Sequence, residues 1–302
     1  MKRIIYTLNV GMTYSPEICA ITYPLLKSYA HKIGADFEII TEPYDLGIDG
    51  CRISGKFNLF ELADKPDTWT IFLDSDALVH PDAIDYTQCL DPVDKHRRPS
   101  VFSYGHDFAY QRFHAGKLRW RSNTIPDEAQ TSDQALGLCT WFIAVNDQSR
   151  CLWVPPTQTF AREIIDYITP TASERHIKTP VSLIDDYMTS YNAASFNLSV
   201  NFANDIHALA RDTPMGRQMC FWHHHLLSEA QKIRAMHWVT HKVWRLHDTP
   251  AMVYARMDRE LDKLMADWDA ANPEPAPAAE AAPRPKIGDP LKPIDPEPFQ
   301  TE

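Results

Sequence analysis

Apolar residues near the start of the chain alternate between strand-like and helix-like spacing. Residues 3–8 form an apolar strand, and residues 16–33 carry apolar side chains at helical spacing. Pro16 suits the first turn of that helix and Gly34 suits its end. Residues 36–40 form a second strand pattern. The opening segment therefore predicts a strand, a helix and a second strand in succession.

The same alternation continues beyond residue 50. Residues 56–63 predict a helix, and residues 70–73 predict a buried strand that runs into an acidic motif. Such a β-α-β-α-β order is typical of a parallel α/β sheet flanked by helices. Further strands are predicted at Ser100–Tyr104, Thr140–Val145 and Met219–Trp222, and further helices at Gln158–Ile168 and Val181–Tyr191.

The end of the chain differs in composition from the rest. Thr249 and Pro250 predict the start of a helix, as an N-cap and a proline at the first helical position. Residues 271–302 hold nine of the 23 prolines, interleaved with Ala and Glu, and contain little that could pack a core. We therefore expect one domain over residues 1–270 and a disordered tail over 271–302.

Composition and charge narrow the class of protein. With 44% hydrophobic and 11% aromatic residues, the 302-residue chain fits an ordered globular protein. The net charge of −10 is dispersed and no long Lys/Arg run is present, which disfavours extended nucleic-acid binding. No apolar run approaches the ~20 residues that cross a bilayer. The six cysteines form no CxxC pair, so we expect a reducing, cytoplasmic location and no zinc ribbon.

An Asp-Ser-Asp motif follows the buried strand at residues 70–73. Asp74 and Asp76 would therefore lie at the carboxyl end of a parallel sheet, where open α/β folds bind ligands. Two carboxylates in this position suit a hard divalent cation that bridges a diphosphate. The alternative is a plain turn in which Asp74 caps the next helix. The apolar residues on both sides of the motif favour the functional interpretation.

The segment Phe72-Leu73-Asp74-Ser75-Asp76-Ala77 resembles the acidic motif of nucleotide-sugar glycosyltransferases with the GT-A fold, a group that includes glycogenin-like and galactosyl- or mannosyltransferases. The resemblance can be followed over roughly 220 residues, with the order of features rather than identity as its basis. It implies a Rossmann-like sheet, a UDP- or GDP-sugar donor, a hydroxyl acceptor, and Mn²⁺ or Mg²⁺ at Asp74 and Asp76.

The resemblance also assigns residues to the donor. The first strand and its loop would hold the nucleotide through Thr7, Asn9 and Tyr14, with Tyr14 stacking on the base. Lys56 resembles a basic residue that such enzymes place near the donor, and Ser75 lies between the two metal-binding acids. The alternatives are that Tyr14 is an ordinary loop aromatic and that Lys56 is a solvated surface charge.

Two later segments complete the resemblance. Residues 138–146 match the strand that touches sugar and acceptor but lack its usual Asn-x-Gly, which leaves the donor sugar and the acceptor open. Asp185 and Asp186 resemble the acidic segment beside the reacting anomeric carbon. One of them would act as a base in an inverting reaction or stabilise positive charge in a retaining one. The alternative is a pair of exposed helix acids.

Three consecutive histidines follow the predicted strand at residues 219–222. The resemblance implies a third metal ligand here, and imidazole together with carboxylates suits Mn²⁺. In an extended segment His223 and His225 point to one side, which makes one of these two the expected ligand. Aromatic residues beyond them would line an acceptor cleft or, as the alternative, belong to the core: His237, Trp238 and Trp244. Basic residues there would offset the diphosphate charge: Lys232, Arg234 and Lys242.

Two other functions are compatible with the motif. A haloacid dehalogenase-type phosphatase would use Asp74 as nucleophile and Asp76 as proton donor. Its motif normally opens the catalytic domain, whereas two strands precede it here, and Ala77 replaces the usual Thr or Val. The second alternative function is that of a non-catalytic sugar-binding protein with a degenerate transferase fold. A hydroxylated DNA base also remains open as an acceptor.

Deletion of residues 273–302 should leave the melting temperature nearly unchanged, because so proline-rich a segment buries little apolar area. Thermal unfolding of the full-length and shortened chains, followed by circular dichroism, measures this. A large drop in the shortened chain would show that the tail packs against the domain.

Overall fold

The structure is a computed structural model of the whole chain. It describes residues 1–80, 83–104, 138–174, 184–202, 221–222, 228–242, 244, 263, 265–267 and 269–271, without the side chains of 167–174 and 221–222. The chain divides into two compact units, Met1–Arg259 and Glu260–Glu302. The described residues of the second unit are helical. The sheet and the candidate site both lie in the first unit.

Six strands of the first unit form one sheet: β1 (Lys2–Leu8), β2 (Asp36–Ile40), β3 (Thr68–Leu73), β5 (Ser100–Ser103), β6 (Phe142–Asn146) and β7 (Ser199–Phe202). Their order is β2-β1-β3-β6-β5-β7. β6 runs antiparallel to both of its neighbours, and the other pairings are parallel. A separate ribbon pairs β4 (Leu78–Val79) with β8 (Phe221–Trp222) in antiparallel fashion.

The helices are α1 (Pro16–Ile33), α2 (Leu59–Leu62), α3 (Gln158–Glu174), α4 (Ile184–Ser195) and α5 (Glu229–His241). The ends of α1 agree with the sequence prediction. Ser15 caps its first turn by accepting from the amide of Ile18, and Gly34 ends it in the left-handed conformation at φ 66°.

Both faces of the sheet are buried, which explains the near-continuous apolar strands in the sequence. Ile5 and Ile71 pack on one face together with α1. Ile4, Tyr6 and Phe72 pack on the other. Strands covered on both sides are a property of parallel sheets with helices on each face. The predicted α/β class, a mostly parallel central sheet flanked by helices, is confirmed.

Several elements differ from the prediction. The helix expected at residues 56–63 begins as a 3-10 helix at Arg52–Asn58, and only α2 is α-helical. The strand expected from Thr140 starts two residues later, because the Thr140 amide donates to the Asp186 carboxylate and not to a neighbouring strand. The strand β7 and the helix α5 were not predicted.

Some predictions fall on residues outside the described ranges. They concern residues 249–262 of the helix predicted to start at Thr249, residues 272–302 of the tail, residues 181–183 and 219–220, and the histidines at 223–225. The predicted boundary at residue 270 stays a prediction. Among the described residues, no helix combines the length and the apolar character that a bilayer crossing requires.

Gly55 brings the 3-10 helix close to the end of β1. A Cβ atom at Gly55 would lie 2.6 Å from Leu8 Cδ1, 2.9 Å from Val10 Cγ2 and 3.0 Å from the carbonyl oxygen of Glu42. A larger side chain at this position fits only if the side chains of Leu8 and Val10 or the nearby backbone shift. The next residue is Lys56, so this contact fixes where the Lys56 side chain begins.

Gly55→Ala should reduce the free energy of unfolding by about 1–3 kcal/mol through overpacking. The loss should be smaller in a Leu8→Val background, since valine lacks the Cδ1 atom at the tightest contact. Urea unfolding of the wild type, the two single variants and the double variant measures the coupling.

Gly34→Ala provides the control for this test. A Cβ at Gly34 meets nothing within 4 Å, so its cost comes from the left-handed backbone alone. That cost should be the same in the wild-type chain and in the Leu8→Val background. An equal penalty for Gly55→Ala in both backgrounds would contradict the close-contact explanation.

Candidate active site

The strand order reverses at β1, in the middle of three parallel strands. β1 lies between β2 and β3. The chain therefore passes from β1 to a strand on one side of it and then to a strand on its other side. In open α/β sheets, ligands bind at the carboxyl ends of strands where the order reverses in this way. Asn9 follows β1 and Asp74 follows β3 at this point. The predicted position of the acidic motif at a strand end is confirmed.

The acidic motif forms a buried turn. The Asp74 amide donates to the carbonyl of Trp141 at 2.8 Å, which extends the pairing of β3 and β6 by one bond. The Ala77 amide returns to the carbonyl of Asp74 at 2.9 Å. The side chains of Asp74 and Asp76 are almost entirely removed from solvent. Buried carboxylates need charged or hydrogen-bonding partners, and the surrounding elements supply them.

Ser75 connects the motif to β1 and α1. Its hydroxyl donates to the Leu8 carbonyl at 2.8 Å and lies 2.7 Å from the hydroxyl of Thr7 and 3.2 Å from that of Tyr23. The Thr22 hydroxyl donates to the Ser75 carbonyl at 2.6 Å. Thr7 and Ser75 therefore hold the two strand ends together. Their contact with a donor stays a prediction.

The loop after β1 carries Tyr14. The Asn9 side chain accepts from the Tyr14 amide at 3.2 Å and so shapes this loop. Burial, and then the charges of Asp74, Asp76 and Asp185, raise the pKa of Tyr14 well above its ordinary value. The phenol of Tyr14 is thus within electrostatic range of three acids. Its stacking role and the donor contact of Asn9 stay predictions.

Lys56 is buried between two acids. Its Nζ lies 2.7 Å from Asp185 Oδ2 and 3.0 Å from Asp74 Oδ1, and it donates to the Thr140 hydroxyl at 3.1 Å. Burial by itself lowers the pKa of Lys56, but Asp185, Asp74 and Asp186 raise it above the ordinary value. Lys56 is therefore an internal cation that joins the end of β3 to α4, and not a surface charge.

The predicted acids Asp185 and Asp186 lie in the first turn of α4 and both reach Thr140. The Thr140 hydroxyl is 2.7 Å from Asp185 Oδ2 and 2.6 Å from Asp186 Oδ1, and the Thr140 amide donates to Asp186 Oδ1 at 3.0 Å. Burial, and then the charge of Asp185, raise the pKa of Asp186 to about 7. The side chain of Asp185 is almost fully buried, unlike an ordinary helix acid.

Asp76 forms an ion pair with Lys232 of α5. The sequence contained a signal for this helix that the periodicity did not reveal. Ser228 and Gln231 form a capping box, in which each side chain bonds to the other residue's backbone amide. Lys232 follows directly after the box. Its partner, 156 positions away in the sequence, could not be read from that signal.

The other residues expected near the acceptor differ in their surroundings. Trp238 is buried and belongs to the interior. Trp244 packs edge-on against His80, with 5.0 Å between ring centroids. Within the described ranges no three His, Cys, Asp or Glu side chains are grouped as metal ligands. His223 and His225 lie outside those ranges, so their predicted ligation is not tested.

Comparisons with known proteins find likeness in structure but not in sequence. No family model and no curated protein matches the chain. Among solved structures, the chain is similar to a glycosyltransferase described as involved in the glycosylation of the major capsid of PBCV-1. The two share 14% identity over 77% of this chain and 98% of that one, with a TM-score of 0.41. A likeness this distant bears on neither activity nor substrate.

Lys56→Met should reduce the free energy of unfolding at pH 8 by about 3–5 kcal/mol, because it leaves two buried carboxylates without their cation. The loss should be smaller at pH 5, where protonation can neutralise those acids. Urea unfolding at both pH values measures the effect.

Lys65→Met is the matched control. Lys65 donates to the neutral hydroxyl of Tyr6 at 2.8 Å and is only partly buried. Its removal therefore leaves no buried carboxylate without a cation. It should cost far less and show no such dependence on pH. Equal losses for the two lysine variants would contradict the internal-cation role of Lys56.

Proposed function

We propose that the chain is a metal-dependent glycosyltransferase that moves a sugar from a UDP- or GDP-sugar to a hydroxyl acceptor. One observation carries the proposal. At the point where the strand order reverses, Lys56 joins the acidic motif at Asp74 to the acidic pair at Asp185 and Asp186. A sugar nucleotide needs carboxylates for the metal at its diphosphate and a carboxylate beside its reacting carbon, both at the same edge of the sheet.

The oxygen ligands of Asp74 and Asp76 suit a hard cation such as Mn²⁺ or Mg²⁺. The ribbon of β4 and β8 supports a third ligand from the histidines. β8 ends at Trp222, which pairs with Leu78, only two positions after Asp76. His223 or His225 would then complete the ligand set. When bound, the metal would neutralise the diphosphate and the departing nucleotide.

The basic residues of the site have separate tasks in this proposal. Lys232, paired with Asp76, can also donate to phosphate oxygens of the donor. Lys56 fixes Asp74 and Asp185 relative to each other. Tyr14 would contact the nucleotide from the loop after β1. In this arrangement lysines would offset the negative charge of the diphosphate, and acids would stabilise the positive charge that develops on the sugar.

The acids on α4 would face the anomeric carbon. A carboxylate there can accept the proton of the acceptor hydroxyl or stabilise positive charge on the sugar. The sequence leaves the stereochemical outcome, the donor sugar and the class of acceptor open. A cytoplasmic location stays a prediction.

A phosphatase with Asp74 as nucleophile and Asp76 as proton donor fits the contacts less well. A proton donor must carry its proton, whereas the ion pair with Lys232 holds Asp76 as a carboxylate. The proposed nucleophile Asp74 is also paired, with Lys56. A phosphatase should hydrolyse simple phosphate esters and a glycosyltransferase should not, so such an ester belongs in the experiment that tests the proposed function.

Asp76→Asn should abolish Mn²⁺-dependent turnover, with a fall of at least about 100-fold in nucleotide release from UDP- or GDP-sugars. A neutral amide is a poorer ligand for a hard cation, yet it can still accept from Lys232 and preserve the fold. Wild-type protein should gain thermal stability from donor plus Mn²⁺ by mass action, and the variant should lose that gain.

Asp91→Asn, at an exposed position outside the site, is the matched control and should behave as wild type. Hydrolysis of p-nitrophenyl phosphate without nucleotide release would favour the phosphatase instead. Donor binding without any turnover, over a panel of acceptors, would favour a non-catalytic sugar-binding protein. Full turnover by Asp76→Asn would contradict the metal assignment.

A further inference from the structure

The hydroxyl of Thr140 has more close partners than one hydroxyl proton can satisfy. It accepts from Lys56 Nζ at 3.1 Å, and it lies 2.7 Å from Asp185 Oδ2 and 2.6 Å from Asp186 Oδ1. A hydroxyl donates once, so it can serve only one of the two carboxylates. The other short contact becomes a hydrogen bond only when that carboxyl group carries a proton.

We propose that Asp185, Thr140 and Asp186 form a hydrogen-bonded chain that holds one proton between its two carboxyl groups. In this chain Thr140 is the positioning residue, and Asp186 is the group that takes up and releases the proton. The sharing of the proton follows from the contacts alone. Its use in sugar transfer rests on the proposed function.

The surroundings of the two acids assign the proton to Asp186. Asp185 has the ammonium of Lys56 at 2.7 Å, which holds it as a carboxylate. Among the described residues, the side chain of Asp186 bonds only to the amide and hydroxyl of Thr140. A carboxyl group beside a second acid and without its own cation is the one that retains a proton. Its raised pKa agrees with this.

The other charged groups near α4 do not compete for that role. Burial, and then the charge of Asp185, raise the pKa of Cys51 to about 11, so its thiol is neutral. On the 3-10 helix Arg150–Trp153, Arg150 pairs with Asp64 at 3.4 Å. The charged residues of α3 with described side chains are exposed: Arg162, Glu163 and Asp166.

The backbone of Thr140 is held independently of its hydroxyl. The amides of Leu138 and Thr140 donate to Ser190 Oγ at 2.9 Å and to Asp186 Oδ1 at 3.0 Å. Positions 186 and 190 lie one turn apart on α4, and they bond the amides of residues 140 and 138 in the segment before β6. Removal of the hydroxyl alone should therefore leave Thr140 in place.

In the transfer step, an ionised Asp186 would receive the proton of the acceptor hydroxyl. The acceptor oxygen forms its bond to the anomeric carbon, and the bond from that carbon to the diphosphate oxygen breaks. The leaving nucleotide keeps the electron pair of the broken bond. Asp185 keeps its charge throughout, because Lys56 stays paired with it.

Carbon-13 NMR of the full-length protein, labelled at aspartate carboxyl carbons, tests the proposal without reference to activity. One carboxyl group should titrate near pH 7, and Asp186→Asn should remove that titration. Thr140→Val should move the midpoint down by about one pH unit, because the protonated carboxyl group of Asp186 loses the hydroxyl that accepts its hydrogen bond. Thr140→Ser keeps the hydroxyl and should keep the wild-type midpoint.

Asp185→Asn gives a second, independent test should Thr140→Val not fold. It removes the neighbouring negative charge, so the midpoint of Asp186 should fall. Titration of every carboxyl group below about pH 5, or an unchanged midpoint in both variants, would overturn the proton sharing. An intact titration in a protein that releases no nucleotide from any donor would instead count against the proposed function alone.

Discussion

The buried ammonium group of Lys56 is the contact on which the candidate site depends. It joins the 3-10 helix, the end of β3, the segment before β6 and the first turn of α4 through Asp74, Thr140 and Asp185. Without this cation, the carboxylates would be desolvated side by side. The close approach at Gly55 and the hydrogen bonds of Ser75 then set the positions from which these side chains extend.

Much of the fold was predictable, because its signals are local. The apolar runs of β1 and β3, the cap at Ser15 and the stop at Gly34 each act within a few residues. The position of the acidic motif at a strand end was predictable for a related reason. Its position depends only on the strand before it, and a parallel sheet gathers the carboxyl ends of its strands at one edge.

The partners within the site were not predictable, because they are set by long-range packing. Nothing near Asp76 in the sequence indicates Lys232, and nothing near Thr140 indicates that α4 takes the amide that a strand would otherwise use. Lys56 illustrates the same limit. Its neighbours in the sequence fit an exposed helix start, whereas the close packing of Gly55 places Lys56 in the interior. Burial and charge pairing appear only once distant segments meet.

The antiparallel direction of β6 has a consequence for how the site can vary. β5 ends at the same edge of the sheet as β3, and β6 begins there, with Thr140 just before it. The long connection between β5 and β6 therefore leaves from and returns to the ligand edge. Because both strands are fixed by their own ladders, insertions in that connection can change the surface at this edge while the register of the strands stays the same.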